Sequence, residues 1–210
     1  MRSLVLIGGN DYCKSVIEAA ESAGYNILGI LDSPEMVGKM FFSVPIVGTI
    51  SDIAAFVDRA DFIIASNSID NELNRASLYS KAKEYGAKFA TIIASTAYVS
   101  KYAHVGEGSI IMHKVFLNAD AYVGNNVFLD TFANVDFQTS IGNHSIVYSN
   151  TMINGDTHIG ERCIVGKHST IDNGVHICDD VIIEDNSVVV EDIITSGTYL
   201  GNPALLVEQK

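Results

Sequence analysis

Basic residues are scarce in this chain. Its 210 residues include 13 lysine or arginine residues and 25 aspartate or glutamate residues, for a formal net charge of −12 at pH 7. Proteins that bind nucleic acid need a basic face to neutralise phosphates, and proteins that dock on anionic lipid need basic clusters. The composition therefore argues against both classes.

Long apolar runs and closely spaced cysteines are also missing. The apolar run at residues 4–7 ends at two glycines, too soon for a signal peptide, and no run approaches the length of a membrane span. Cys13, Cys163 and Cys178 show no CxxC spacing, so we interpret them as reduced thiols. We expect a cytoplasmic protein without a membrane segment.

Aliphatic residues, by contrast, recur with a fixed period. Every sixth residue from Ile93 to Val189 is Ile, Val or Leu, and the residue four positions after each is small or β-branched. A period of six fits neither an amphipathic helix nor a half-buried strand. Three hexapeptides make one triangular coil, and stacked coils pair as parallel strands. The period therefore predicts a left-handed parallel β-helix over residues 93–189, followed by a C-terminal tail.

Glycine, asparagine or aspartate directly follows many of these aliphatic residues. We expect these followers at the turns of the coils, where unusual backbone angles are needed. They are Gly106, Gly124, Gly142, Gly160, Gly166, Asn118, Asn154, Asp130, Asp136 and Asp172.

Residues 1–92 have a different pattern, in which apolar runs alternate with helical segments. Alternating strands and helices predict a small Rossmann-like parallel sheet. Predicted strands cover residues 4–7, 27–31, 62–65 and 89–93, predicted helices cover 14–22, 53–58 and 73–85, and 44–48 is a short edge segment. The chain is therefore expected to form an α/β domain at 1–92 and a β-helix domain at 93–210.

Ligands of parallel sheets bind at the carboxyl ends of the strands. The first such end, Gly8-Gly9-Asn10-Asp11-Tyr12, lacks the GxGxxG spacing and is either a weak phosphate loop or only a tight turn. Asp32 at the second end can accept hydrogen bonds from a ribose or base, or can serve as a turn residue. The third end is Ser66-Asn67.

This order of parts resembles the bacterial sugar acetyltransferases of the hexapeptide superfamily. That family includes sialic-acid O-acetyltransferases and the N-acetyltransferases of nucleotide-linked 4-amino sugars. The combination of the two domains is the specific feature. The matching stretches are residues 29–32, 44–48, 62–65, 88–91, 111–112 and 117–119 and the Gly-Asn-Pro-Ala at 201–204.

The resemblance implies a homotrimer with active sites between neighbouring subunits, acetyl-CoA as co-substrate and a nucleotide-linked amino sugar as acceptor. By this resemblance the residues that contact the nucleotide-sugar would be Asn10, Asp11, Tyr12, Asp32, Ser33 and Asn67. The cofactor-facing residues would be Ile146, Gly155, Lys167 and Asp185.

The chain departs from the family at its catalytic centre, which is a histidine followed by an acidic residue. The histidine position is Phe137 and the acidic position is Gln138, and neither side chain can act as a base. A second family histidine, which faces the cofactor, corresponds to Ile146. The family's Gly-Ala in the last coil is Glu184-Asp185, which adds negative charge along the path of anionic CoA.

Asp136 and His113 are the tentative replacements for the missing base. Asp136 is adjacent to Phe137 in sequence, and His113 lies on a nearby coil. A base is also dispensable for an amine acceptor, which needs only its free-base form once it is positioned. A sugar hydroxyl is hardly ionised at neutral pH and depends more on a base. This asymmetry favours acetylation of an amine.

Three histidines share another column of the repeat, with Tyr122 and Ser140 between them. They are His104, His158 and His176. Two stacked histidines can hold a metal ion, but a stacked ladder on an exposed face is the simpler explanation. No metal is therefore expected.

The main expectation is an acetyl-CoA-dependent N-acetyltransferase of a nucleotide-linked amino sugar, in cell-surface polysaccharide or glycan biosynthesis, with an atypical active site. The lost histidine and acid favour a second hypothesis, a non-catalytic trimer that binds a nucleotide-sugar or serves structurally. A third hypothesis is acyl transfer to another acceptor, such as a sugar hydroxyl.

Overall fold

The computed structural model describes residues 2–9, 11–66 and 74–209, without the side chains of Arg2 and Asp11. The chain divides into two units, Met1–Ser95 and Thr96–Lys210, close to the boundary expected from the sequence. Within the described residues, no helix is both long enough and apolar enough to cross a membrane.

The first unit is built on a mostly parallel sheet. Its strands are β1 Arg2–Ile7, β2 Tyr25–Asp32, β3 Met40–Phe41, β4 Val44–Thr49 and β5 Asp61–Ile64, in the order β3-β4-β2-β1-β5. β1 pairs in parallel with β2 and β5, and β4 pairs in parallel with β2, while β3 runs antiparallel to β4. Leu4, Leu6 and Phe62 are fully buried, as expected for a parallel sheet covered on both faces. The predicted Rossmann-like sheet is confirmed.

The α-helices of this unit lie close to their predicted positions. α1 covers Asp11–Ser22 and α2 covers Arg75–Glu84. Asn74 caps α2, because its side chain accepts a hydrogen bond from the backbone N–H of Ser77 at 2.9 Å. The chain leaves α2 through Gly86, whose φ of 86° is the left-handed conformation expected of a helix stop.

The helix predicted at residues 53–58 is wrong. The chain forms a 3₁₀-helix at Ile50–Ala55 instead, closed by a capping box between Thr49 and Asp52. Because the capping box begins at the last residue of β4, the helix starts earlier than its apolar pattern suggests. A second 3₁₀-helix covers Pro34–Met36.

The strand predicted at residues 89–93 forms only in part. Phe89 makes an isolated parallel bridge with Phe62, and a two-residue strand, β6, covers Ile92–Ile93. The N–H of Ala90 donates to the carbonyl of Phe62 at 2.9 Å, so this segment extends the sheet beyond β5.

The second unit is the predicted left-handed parallel β-helix. Strands of the same sheet are paired eighteen residues apart, as Phe116 is with Tyr98 and Asn134. The strands are β7 Tyr98–Val99, β8 His104–Val105, β9 Ile110–Ile111, β10 Phe116–Leu117, β11 Tyr122–Val123, β12 Phe128–Leu129, β13 Asn134–Val135, β14 Ser140–Ile141, β15 Ile146–Val147, β16 Met152–Ile153, β17 His158–Ile159, β18 Ile164–Val165, β19 Thr170–Ile171, β20 His176–Ile177, β21 Val181–Ile183, β22 Val188–Val189, β23 Gly197–Gly201 and β24 Ala204–Gln209.

These strands form the three faces of a prism. The first sheet runs β7-β10-β13-β16-β19-β22, the second β8-β11-β14-β17-β20 and the third β9-β12-β15-β18-β21-β23-β24. β24 folds back antiparallel on β23. The chain therefore crosses three edges in each coil, which we name by the sheets that they join: first–second, second–third and third–first.

The aliphatic column fills the interior of the prism. All its members from Ile111 to Val189 are buried, whereas Ile93 is 38% exposed. The small residues four positions later are also buried from Ser109 to Ser187, and most of their hydroxyls donate to a carbonyl of the next coil. The Ser145 hydroxyl donates to the Gly160 carbonyl at 2.9 Å, and the Thr151 hydroxyl donates to the Gly166 carbonyl at 2.8 Å. These bonds satisfy polar groups that would otherwise be buried without partners.

The left-handed residues of the turns are not those predicted. Positive φ angles recur at the third residue after each aliphatic, not at the first. They are Gly108, Lys114, Asp120, Asn126, Phe132, Gln138, His144, Asn150, Asp156, Arg162, His168, Gly174, Asp180 and Asn186. Asn and Asp are frequent among them because they tolerate this conformation best.

The residues directly after the aliphatics have another role, which is to let successive coils approach. A Cβ atom on Gly142 would lie 2.5 Å from the carbonyl carbon of Gly160 on the next coil. Where Asp stands at this position, its carboxylate accepts from the following N–H, as Asp136 does from Phe137 at 2.8 Å. The constraint is therefore close packing between coils rather than a special φ.

Gly142→Ala is expected to destabilise the β-helix by roughly 1–3 kcal/mol or more, because the added carbon overlaps backbone that cannot move aside. Gly174→Asn is the matched control: Gly174 has a φ of 72° and open space at its Cβ position. Its loss should stay under about 1 kcal/mol, since Asn tolerates positive φ. Chemical denaturation measures both; equal losses would contradict the packing argument.

Candidate functional site

A cavity of about 720 Å³ opens at the carboxyl ends of the parallel strands in the first unit. This is the position where parallel α/β sheets bind ligands. Apolar residues such as Ile7, Leu31 and Ile50 form much of its wall. The lining residues are Ile7, Gly8, Gly9, Leu31, Asp32, Ser33, Pro34, Glu35, Met36, Thr49, Ile50, Ser51, Ser66 and Leu78.

Two carboxylates of the cavity are held by backbone groups. Asp32 Oδ1 accepts from the N–H of Ser33 at 2.6 Å. Asp32 Oδ2 lies so close to the backbone of Gly9 that a Cβ atom there would overlap it, so the glycine loop must be glycine at this point. The N–H of Glu35 and the Ser33 hydroxyl lower the pKa of the Glu35 carboxyl, which is therefore ionised at neutral pH.

The residues assigned to the nucleotide-sugar divide into three groups. Asp32 and Ser33 line the cavity. Tyr12 lies half-buried on α1 and is not a lining residue among those described. Asn10, Asn67 and the side chain of Asp11 lie outside the described residues, so their roles stay predictions.

Phe137 occupies the first–second edge of the prism, two residues after the end of β13. Its ring is 44% exposed and lies over Gly155, one coil further along the same edge. A Cβ atom on Gly155 would meet the ring at 2.8 Å. An apolar side chain therefore covers a position that the resemblance assigns to the cofactor.

Asp136, the first tentative base, is engaged in the turn. Its Oδ1 accepts from Asn118 Nδ2 at 2.7 Å and from the N–H of Phe137 at 2.8 Å. Both bonds tie the same carboxylate oxygen to the turn. Gln138 follows in the left-handed conformation with a φ of 54° and is exposed.

His113, the second tentative base, lies on the third–first edge, away from Phe137. Its Nδ1 is 2.8 Å from the hydroxyl of Thr96. Its Nε2 is buried and has no hydrogen-bond partner among the described residues. Within one protomer the structure does not bring His113 and Phe137 to the same edge.

The four cofactor-facing positions also divide between edges. Gly155 lies under Phe137, whereas Lys167 and Asp185 lie on the third–first edge, where Asp185 Oδ1 accepts from the N–H of Lys167 at 2.7 Å. Ile146 points outward from the third sheet but is only 2% exposed. The structure therefore brings Lys167 to Asp185 and Phe137 to Gly155, as two separate pairs.

Known families match both units. Residues 3–82 match the PglD N-terminal domain, and residues 138–173 match the bacterial transferase hexapeptide (six repeats). The acetyltransferase domain of PglB from Neisseria gonorrhoeae FA1090 is 26% identical, with a TM-score of 0.90, and the match covers 99% of this chain and 100% of that chain. Both units of the chain therefore resemble those of the sugar acetyltransferases.

Two of the solved structures that this chain resembles hold ligands. PerB from Caulobacter crescentus, in complex with CoA and GDP-perosamine, is 29% identical, with a TM-score of 0.89, and the match covers 98% of this chain and 97% of that chain. The PglB domain in complex with acetyl coenzyme A is 25% identical over 98% of this chain and 99% of that chain, with a TM-score of 0.89. No curated protein matches the chain.

Sequence reasoning missed the part of the cavity that follows β4. Thr49, Ile50 and Ser51 line the wall there, but residues 44–48 were interpreted as an edge segment. A usable signal was present: Thr49 and Asp52 have the spacing of a capping box directly after an apolar run. That spacing would have identified another strand end at the ligand-binding edge of the sheet.

The histidine column lies on the outer face of the second sheet. The His104 ring stacks on Tyr122 at 4.8 Å between centroids, the Ser140 hydroxyl is hydrogen-bonded to Nδ1 of His158, and the rings of His158 and His176 are 6.0 Å apart. The described residues include no cluster of three His, Cys, Asp or Glu side chains arranged to hold a metal ion. The column is a stacked ladder.

The buried thiols are poor nucleophiles. Burial raises the pKa of Cys13 to about 12, with a further contribution from the charge of Asp32. Burial likewise raises the pKa of Cys163 to about 12. At pH 8 the thiolate is then on the order of 10⁻⁴ of either cysteine, so neither is suited to carry an acyl group.

Proposed function

We propose that this protein transfers an acetyl group from acetyl-CoA to the amino group of a nucleotide-linked sugar. The observation that carries the proposal is the match over 98% of the chain to PerB, which was solved with CoA and GDP-perosamine. The cavity of the first unit is suited to the nucleotide part. Its carboxylates, Asp32 and Glu35, can accept hydrogen bonds from the hydroxyls of a ribose or the N–H groups of a base.

The acetyl transfer itself needs no group that this chain lacks. The free amine attacks the thioester carbonyl carbon, a C–N bond forms and the C–S bond breaks. CoA leaves as a thiolate, and the proton lost by the amine nitrogen reaches the thiolate directly or through water. The products are an amide and CoA–SH, so atoms and charge balance.

Phe137 at the family's histidine position is consistent with an amine acceptor. Positioning of two reactants supplies about 7–11 kcal/mol in ideal intramolecular cases, whereas one general base contributes about 10²–10⁴-fold. A neutral amine can react on positioning alone. A sugar hydroxyl would depend on a base, and Asp136 is already bonded to Asn118 and the Phe137 N–H.

A homotrimer would complete the site. Phe137 with Gly155 and Lys167 with Asp185 lie on different edges of one prism, so a single protomer cannot present them to one ligand. Neighbouring copies around a three-fold axis would place one edge of each against another. In that arrangement Lys167, which is exposed, would face the anionic part of CoA.

A non-catalytic, nucleotide-sugar-binding trimer is the second candidate function. The observation that favours it is the ring of Phe137 on Gly155, which narrows the edge where the thioester would lie. Transfer to a sugar hydroxyl is less well supported, because Asp136, the carboxylate beside Phe137, has one oxygen bonded within the turn.

Acetyl transfer is tested directly. Purified protein with acetyl-CoA and UDP-, dTDP- or GDP-linked amino sugars is expected to release free thiol with one of them, and the same nucleotide sugar with a hydroxyl in place of the amine is the control. Calorimetry separates the alternative, which predicts nucleotide binding without acetyl-CoA binding. No thiol release with any amino sugar would overturn the proposal.

The pH profile tests for the missing base. The wild-type rate should rise with pH until the acceptor amine is deprotonated, with no step near the ordinary histidine pKa of about 6.5. Phe137→His with Gln138→Glu should raise the rate at pH 7 by roughly 10²–10⁴-fold and add a limb near that pKa. Glu107→His, at an exposed position of the second–third edge, is the control and should change neither. A wild-type limb near pH 6.5 would show that another histidine serves as the base.

The shared site is tested by mixing. Gly155→Leu and Lys167→Glu should each be inactive alone, because one crowds the first–second edge and the other reverses a charge on the third–first edge. When the two variants are mixed, unfolded and refolded together, about a quarter of wild-type activity should return. In randomly assembled trimers about a quarter of the interfaces pair an intact first–second edge with an intact third–first edge. Light scattering should give a mass near three times 22.6 kDa. A monomer, or no recovery on mixing, would refute a site between copies.

A further inference from the structure

Arg75, the first residue of α2, is a buried cation with a defined position. Its side chain is 2% exposed. Its Nη1 donates to the carbonyl of Ile64 at 2.7 Å and to the carbonyl of Ser66 at 2.9 Å. Burial of a guanidinium costs free energy unless its donors are hydrogen-bonded. We therefore expect that Arg75 has a specific role at the end of β5.

The Ile64 carbonyl that accepts from Arg75 belongs to the first peptide group in a row of peptide groups joined by hydrogen bonds. The N–H of the same peptide, on Ala65, donates to the carbonyl of Ile7 at 2.8 Å. The N–H of the peptide that follows Ile7, on Gly8, donates to the carbonyl of Leu31 at 2.9 Å. The row therefore runs from Arg75 across the ends of β5, β1 and β2, and hydrogen bonds arranged in a chain strengthen one another.

Each peptide of the row lies next to a residue that lines the cavity. Ser66 follows the first peptide, Gly8 carries the N–H of the second and Asp32 carries the N–H of the third. The loops are packed without slack, since a Cβ atom on Gly8 would lie 2.8 Å from Cβ of Ser66. A shift at one end of the row would therefore displace the others.

We propose that Arg75 is a positioning residue for the nucleotide-sugar. It fixes the three strand ends that form the cavity, without touching the ligand. The inference rests on the proposed function, because it assumes that the cavity of the first unit binds a nucleoside diphosphate group.

The test compares substitutions at Arg75 with one at Tyr79. Arg75→Met removes the charge and the donors, and Arg75→Lys keeps the charge and part of the bonding. Tyr79→Leu is the control, because Tyr79 lies on the same helix and stacks on Phe89 at 4.3 Å but takes no part in the row. Calorimetry with GDP, UDP and dTDP measures affinity, and hydrogen exchange at the amides of Gly8 and Ala65 measures the row.

Arg75→Met should weaken binding of the preferred nucleotide by about 10–100-fold, the range for a lost hydrogen bond to a charged group, and should speed exchange at both amides. Arg75→Lys should recover part of each effect, and Tyr79→Leu should change neither. In turnover assays KM for the nucleotide-sugar should rise while kcat and KM for acetyl-CoA stay within about twofold.

Two outcomes would overturn the inference, and they can be told apart. If wild type binds a nucleotide and Arg75→Met binds it equally well, the inference falls and the proposed function stands. If wild type binds none of the three nucleotides, both fall. Should Arg75→Met not fold, Arg75→Gln replaces it, since glutamine keeps a donor but not the charge.

Discussion

The β-helix depends on the close approach of its coils. Parallel strands in one sheet lie about 4.8 Å apart, so each side chain meets the one eighteen residues away. At the edges the backbones of successive coils are in contact. A Cβ atom added to Gly142 would lie only 2.5 Å from the carbonyl carbon of Gly160. One interior position of each hexapeptide must therefore be aliphatic. The other must be small, and where it carries a hydroxyl, that hydroxyl must reach a carbonyl of the next coil.

That demand explains why the fold could be predicted from the sequence and the turns could not. Interior packing restricts residue type at every sixth position, and the pattern is visible without a structure. The left-handed turn residues include Lys114, Phe132 and Gln138, types that do not favour positive φ on their own. The stacked coils impose that conformation, so it leaves no compositional signal. The 3₁₀-helix at Ile50–Ala55 was missed for a related reason, since a capping box and not an apolar face determines where it starts.

The candidate site divides in the same way. Phe137 is visible in the sequence because the repeat fixes its place relative to Val135. The cavity wall after β4 is visible only through the capping-box spacing of Thr49 and Asp52. The row that starts at Arg75 is not visible, because it depends on backbone hydrogen bonds and loop geometry. Arg75 donates to carbonyls, which every residue carries, and a pattern of side chains cannot reveal such partners.

Fold and chemistry are separable in this architecture. Phe137 stands outside the prism, and the interior column beneath it is unaffected by what the edge residue is. Loss of a catalytic histidine there would leave the repeat, the sheet pairing and the edge packing in place. A β-helix enzyme can therefore keep its shape while its rate falls by the factor that a general base supplies, about 10²–10⁴. An amine acceptor can tolerate that loss because its lone pair needs no proton removed before attack. The acceptor, rather than the fold, then decides whether the site remains an enzyme.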